Sequence, residues 1–227
     1  MKSIKHIFRI GHGPSSSHTM GPQKAASYLK KQYPLATAYE VILYGSLAFT
    51  GRGHLTDRIL MDTFAPIPCK VNFDYKTKVD HVNTMDVIIH MNDENVVTRR
   101  VISLGGGAIQ MSDEPPYEAN EIYEEKNFEE IKAVCLKNQW RLYQYVEAHE
   151  GLEIYDTLAK VWKQMLITIE NGLNSRGFLP GKLMVHRRAP DLYHVDDSLE
   201  NAETRAFRLL SAYAFATGEE NASGGLM

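Results

Sequence analysis

Cysteine is scarce in this chain: two in 227 residues, Cys69 and Cys135. No Cys-x-x-Cys or Cys/His spacing surrounds either, so the two alone cannot build a metal cluster, and buried free thiols are the expectation. There is no basic surplus either. Lys and Arg number 25 against 28 Asp and Glu, a net charge of −3. That balance provides no broad phosphate-binding surface and argues against a nucleic-acid partner. No apolar run approaches the roughly 18–20 residues that span a bilayer, so no membrane partner is expected. The opening MKSIKHIFRIGHG lacks the long apolar core and small-residue cleavage site of a signal peptide, and a cytoplasmic location is the resulting expectation. Internal repeats and low-complexity segments are missing too.

What is present suits an ordinary globular chain: 44% hydrophobic and 23% charged residues, in a length that can bury a proper core. The first half alternates element types. Gly21-Pro22 opens a helix, since proline lacks only an N–H that is unpaired there anyway, and Ala25, Ala26, Tyr28 and Leu29 give it one apolar face. Tyr39–Leu47 reads as a strand, LTDRILMDTF as a helix, and Met85–Met91 and Val96–Leu104 as strands joined by a polar turn. The acidic stretch 112–126 reads as a linker or edge hairpin. Beyond it, Phe128, Ile131, Val134, Cys135, Leu142, Tyr145 and Val146 follow helical spacing, with Asn127 as N-cap and Glu130 three residues on. A second amphipathic helix covers Leu152–Ile169, and a third covers roughly 198–217. The fold class expected is an α+β N-terminal domain, a mixed sheet with helices over 1–126, followed by an all-helical segment over 127–227.

Three clusters carry more chemistry than their local structure requires. The first is GHGPSSSHTMGP at 11–22. Ser and Thr ahead of a helix commonly cap its free N–H groups, which explains about half of these hydroxyls. The other reading is capture of a carboxylate or phosphate at a helix N-terminus, with His18 adding a titratable group. The second is YGSLAFTGRGHLTDR at 44–58, where His54 follows a glycine turn and precedes a helix. It is a candidate general base, or a surface histidine with Asp57 as a first-turn helix charge. A Ser16/His18-or-His54/Asp57 nucleophile set lacks the strand–turn–helix elbow such sets use. The third is GFLPGKLMVHRRA at 177–189, where Arg187 and Arg188 either grip a carboxylate in fork geometry or form ordinary salt bridges.

In order, GPSSSHTMGP, YGSLAFTGRGHLTD, LPGKLMVHRRA and EENASGG resemble the iron–sulfur-dependent L-serine dehydratases, the L-serine ammonia-lyases. The resemblance implies a β domain carrying the first two motifs and a mostly helical α domain opened by the last two. It implies loss of ammonia from L-serine to give pyruvate, with a 4Fe–4S cluster in the complete enzyme whose ligands are not in this chain. His54 would be the catalytic base. Ser15, Ser16, Ser17, His18 and Thr19 would bind the substrate, with Arg187, Arg188, Asn221 and Gly224 on the α-domain side. The complete enzyme would be a homodimer acting on a small molecule. Lys182 stands where the family usually has glycine. EENASGG normally leads into further chain with three cluster cysteines, so a truncated α domain is the expectation, and this chain alone is expected to be inactive. The competing expectation is a non-catalytic module binding serine or another carboxylate, since the β domain also resembles the allosteric substrate-binding domain of some 3-phosphoglycerate dehydrogenases. A separate chain supplying the remainder is a third, weaker expectation.

Overall fold

The computed structural model describes residues 1–227 except 93–94, 116–120, 181–182, 197 and 199. Lys182 and residues 116–120 of the 112–126 stretch therefore lie outside the described residues. Two compact units emerge: residues 1–10 with 117–167, and residues 11–116 with 168–227. No described helix is long and apolar enough to cross a membrane.

The larger unit is built on a five-stranded sheet. In chain order its elements are α1 (Gly21–Gln32), β1 (Ala36–Tyr44), α2 (Gly45–Thr50), α3 (Thr56–Phe64), β2 (Cys69–Asp74), β3 (Thr84–Met91), β4 (Val96–Gly105) and β5 (Ala108–Met111). The strands lie in the order β2-β1-β3-β4-β5. β1 and β2 are parallel, joined over α2 and α3, and the other pairs are antiparallel. Alternation decides the packing: Tyr39, Val41 and Leu43 of β1 and Met85, Val87 and Ile89 of β3 point to one face. There they meet Ala25, Ala26 and Leu29 of α1 and Leu60 and Phe64 of α3, all buried. Tyr39 stacks on Phe64 with ring centroids 3.8 Å apart. The opposite face carries the paired Asp86 and Arg100, register neighbours joined by two 2.8 Å bonds.

Two readings of the sequence need correcting, and one strand has no reading. Tyr39–Leu47 is not one strand: Gly45 turns at φ 49°, a conformation cheap only for glycine, and Ser46 and Leu47 enter α2. The segment CKVNFD forms β2, with Cys69, Val71 and Phe73 packed on the core and Lys70, Asn72 and Asp74 alternating away. The helical periodicity of 128–146 is broken into α4 (Phe128–Asn138) and α5 (Leu142–Glu150) by Gln139, which adopts the left-handed region at φ 55°. The cap at Asn127 forms as read, its side chain accepting from the Glu130 N–H at 3.1 Å while the Glu130 carboxylate bonds back to Lys126 N and Asn127 Nδ2.

α6 (Ile154–Asn174), α7 (Ala189–Tyr193) and α8 (Ala202–Ala222) complete the helices. The α+β class holds: a mixed sheet with helices, then helices. In the larger unit, Leu173, Ala189, Ala212 and Ala216 form a small second core. The smaller unit, which holds α4, α5 and most of α6, centres on buried Glu150. Its carboxylate accepts from Ser3 Oγ, the Ile4 N–H and Tyr123 OH, each at 2.7 Å. Burial pushes this carboxyl up, but those three bonds outweigh it and hold it below its ordinary value.

Candidate functional site

The SSSHT segment is not a loose loop. Ser16–Met20 is a single π-helical turn that runs straight into α1. Such wide turns are rare, and they recur at functional positions because they re-aim the side chains they carry. Ser15 caps the turn, its hydroxyl accepting from the His18 N–H at 3.1 Å. Ser16 Oγ accepts from the Gly106 N–H at 3.2 Å, tying the turn to the end of the β4–β5 hairpin. Capping thus accounts for Ser15 and a tie to the sheet for Ser16, which leaves Ser17, His18 and Thr19.

His18 is 9% exposed, and both its ring nitrogens have partners. Nδ1 lies 2.9 Å from Ser17 Oγ, and Nε2 lies 2.9 Å from Ser46 Oγ at the start of α2. His54 sits half-buried in the turn before α3, its ring 4.7 Å from that of His18. The His54 Nδ1 is 3.0 Å from the Thr50 carbonyl oxygen. A carbonyl only accepts, so Nδ1 carries the proton and Nε2 keeps its lone pair in the neutral ring. Burial first, and the neighbouring His54 second, hold the His18 imidazole below its ordinary value, with the Ser46 interaction opposing.

Two crossed hydrogen bonds lock the histidines together. Thr19, the residue after His18, donates to the His54 carbonyl at 2.8 Å. Thr56, two residues after His54, donates to the His18 carbonyl at 2.6 Å, and Thr56 is fully buried. The first two motifs are therefore clasped by threonine hydroxyls. Ser46 and Thr56 escaped the reading of single residues, although both stand inside the 44–58 motif. Asp57 is half-buried at the start of α3, with its carboxylate bonded to the Arg58 N–H.

The fourth motif closes on the first. The Gly13 N–H donates to the Gly225 carbonyl at 3.1 Å, Gly11 and Met227 exchange two backbone bonds, and His12 Nδ1 donates to the Gly224 carbonyl at 2.9 Å. Gly13 is needed for this approach, since a Cβ there would stand 2.2 Å from the Asn221 carbonyl oxygen. The third motif reaches the fourth rather than standing free. Arg187, nearly buried, bonds Glu220 at 2.9 Å and Ser223 at 2.5 Å. Arg188 lays its guanidinium over the Phe215 ring, 4.5 Å from the centroid, while its N–H donates to Glu219. All four motifs thus meet within one unit. A cavity of about 420 Å³ there is lined by Thr19 and Leu55, the chain neighbours of the two histidines, together with His12, Gly13, Arg58 and Ser223.

The described residues do not fit an iron–sulfur cluster. Cys69 lies in β2 of the sheet unit and Cys135 in α4 of the other. Burial pushes the Cys69 thiol up to about 11, the opposite of what a thiolate ligand needs. No group of three His, Cys, Asp or Glu among the described residues has metal-binding geometry.

Residues 3–65 match the family model described as "Serine dehydratase beta chain". Among curated proteins the chain is 32% identical to the L-serine dehydratase of Haemophilus influenzae and 31% identical to L-serine dehydratase 1 of Escherichia coli, in each case over 99% of this chain and 62% of the relative. An L-serine dehydratase of Helicobacter pylori is 30% identical over 98% of this chain and 61% of its own length. The resemblance carried by the motifs holds: this chain is similar to the L-serine dehydratases along nearly its whole length. It spans about 62% of the length of those two relatives. The alignment with the Haemophilus protein runs over 282 positions, more than the 227 residues here, so that protein carries segments within the matched span that this chain lacks.

Proposed function

We propose that this chain forms the histidine-bearing wall of an L-serine ammonia-lyase site. The observation that carries the reading is the clasped His18–His54 pair, assembled from motifs that resemble, in order, those of the L-serine dehydratases. His54 is the base. Its Nδ1–H is committed to the Thr50 carbonyl, which leaves Nε2 to take the Cα proton of L-serine. Loss of that proton and of the β-hydroxide gives aminoacrylate and water, and hydrolysis of aminoacrylate gives pyruvate and ammonia. Hydroxide is a poor leaving group; an iron–sulfur cluster, which the described residues of this chain do not hold, would supply Lewis acidity to assist its departure.

Within this chain Ser17, His18 and Thr19 bound the reacting region, while Ser15 and Ser16 fix the turn that presents them. Gly224 joins the fourth motif to the first through its carbonyl and Asn221 packs against Gly13, while Arg187 braces the fourth motif from the third and Arg188 packs on Phe215, so these residues act on the site through that closure. The complete enzyme acts in the cytoplasm as a homodimer. The chain alone binds L-serine without turning it over, because its described residues provide no cluster ligands. Calorimetry with L-serine tests this on the chain and on its His54→Ala, His18→Ala and Ser16→Ala variants, with pyruvate assayed in parallel. Saturable binding lost in His54→Ala and His18→Ala, without pyruvate, is expected. No binding, or binding indifferent to both histidines, overturns the reading. The second reading, a serine- or carboxylate-binding module without chemistry, is favoured by the absence of any cluster-competent set among the described residues. It predicts the same binding but no gain of turnover when the iron–sulfur-bearing remainder of a relative is supplied.

A further inference from the structure

The two histidines of the clasp are held in chemically different ways. His54 Nδ1 faces a carbonyl, which accepts and never donates, so the neutral ring has one tautomer. His18 is flanked by hydroxyls at both nitrogens, Ser17 Oγ at Nδ1 and Ser46 Oγ at Nε2, each at 2.9 Å. A hydroxyl donates or accepts as required. Either neutral tautomer of His18, and its protonated form, therefore keeps both hydrogen bonds satisfied in a site where an unpaired polar group is costly. At the Ser17 end the hydroxyl chain continues to Ser15 Oγ at 3.4 Å. The position of Ser46 is fixed independently of the ring: its N–H donates to the Val82 carbonyl at 2.7 Å, and its own carbonyl accepts from Thr50 Oγ1 at 2.9 Å. The titratable group facing His18 is His54, from the turn before α3.

We propose that Ser46 is a positioning residue that, together with Ser17, makes His18 a two-ended proton carrier beside the fixed base His54. The step balances without any redox change. Ser46 O–H passes its proton to Nε2 as Nδ1–H passes its proton to Ser17 Oγ. The Ser17 hydroxyl releases its own proton by way of Ser15 Oγ, 3.4 Å away, to water, and Ser46 is reprotonated from water. One proton enters and one leaves, and the ring does not flip. The role in turnover rests on the reading of the histidine pair as the reactive centre, whereas the tautomers can be measured without substrate.

The test is long-range proton–nitrogen NMR of the full chain labelled at histidine, with resonances assigned through His18→Gln and His54→Gln. Wild-type His18 is expected to average both tautomers, and His54 to show Nδ1–H alone. Ser46→Ala leaves Nε2 without its partner in either tautomer, and because an orphaned N–H is tolerated less well than an orphaned lone pair, His18 shifts toward the Nδ1–H tautomer. Ser46→Thr restores both tautomers. Ser17→Ala drives the ratio the other way, which keeps the proposal testable if Ser46→Ala does not fold. A single His18 tautomer in the wild type, or equal responses to Ser46→Ala and Ser17→Ala, overturns the proposal and leaves the serine-binding reading standing. Failure to bind L-serine leaves the tautomers as they are.

Discussion

Replacing Thr56 by valine keeps the shape of the side chain and removes one hydroxyl. That hydroxyl is fully buried and donates to the His18 carbonyl at 2.6 Å. The loss removes a net hydrogen bond and leaves a buried carbonyl poorly satisfied, about 1–3 kcal/mol together. For a chain of this size each kcal/mol lowers the melting temperature by about 2–4 °C, so a fall of several degrees is expected. Thr19→Val removes the reciprocal bond to the His54 carbonyl. Because both bonds hold the same two backbone segments, the second removal acts on an interface already loosened by the first. The double variant should lose less than the sum of the singles, with a coupling of about 0.5–2 kcal/mol. Chemical denaturation of the four proteins measures it. Strict additivity, or a Thr56→Val cost below about 0.5 kcal/mol, would refute the clasp.

Three further outcomes follow from other parts of the structure. Glu150→Gln puts an amide N–H₂ where the carboxylate accepts from Ser3, Ile4 and Tyr123, so it should destabilise the smaller unit by about 1–3 kcal/mol, seen as faster amide exchange in α5. Ser103 is buried, and its hydroxyl has no hydrogen-bond partner among the described residues. Ser103→Ala should therefore be neutral or raise the denaturation midpoint, and a clear loss would show a missing partner. Acid should weaken the fold through His18, whose ionisation is held below its ordinary value of 6.5. The folded chain binds that proton less readily than the unfolded one, so this contribution is whole above about pH 6.5. It is lost as pH falls toward the depressed folded value. A His18→Gln variant should flatten the stability–pH slope in that window.

The elements legible in the sequence were those with one clean period. Ala25, Ala26 and Leu29 of α1 pack on the core as read, while Tyr28, read on the same face, is exposed with its hydroxyl on Glu114, and β3 forms where Met85–Met91 reads as a strand. The strand reading of 39–47 ran too far because the apolar run continues through Leu47, and only the backbone of Gly45 shows where it turns. β2 was readable in the alternation of Cys69, Val71 and Phe73, but a six-residue strand between polar residues gives a short signal. The break at Gln139 left the helical period intact and so escaped notice.

At the site, SSSHT and GRGH were recognisable as excess chemistry. Their meeting through Thr19 and Thr56 was not, because a clasp between positions 35 and 38 residues apart leaves no local pattern. Ser46, read as part of a strand, reaches His18 only because α2 begins one residue before it. The Arg187 bonds to Glu220 and Ser223 were hidden for the same reason of sequence distance.

The most direct test of the central claim is titration of the histidine-labelled chain with L-serine, following the imidazole nitrogens of His18 and His54. Saturable, coincident shifts of both rings are predicted, with D-serine and glycerol leaving them unmoved. Shifts confined to other histidines, or no response to L-serine at saturating concentration, would contradict the account.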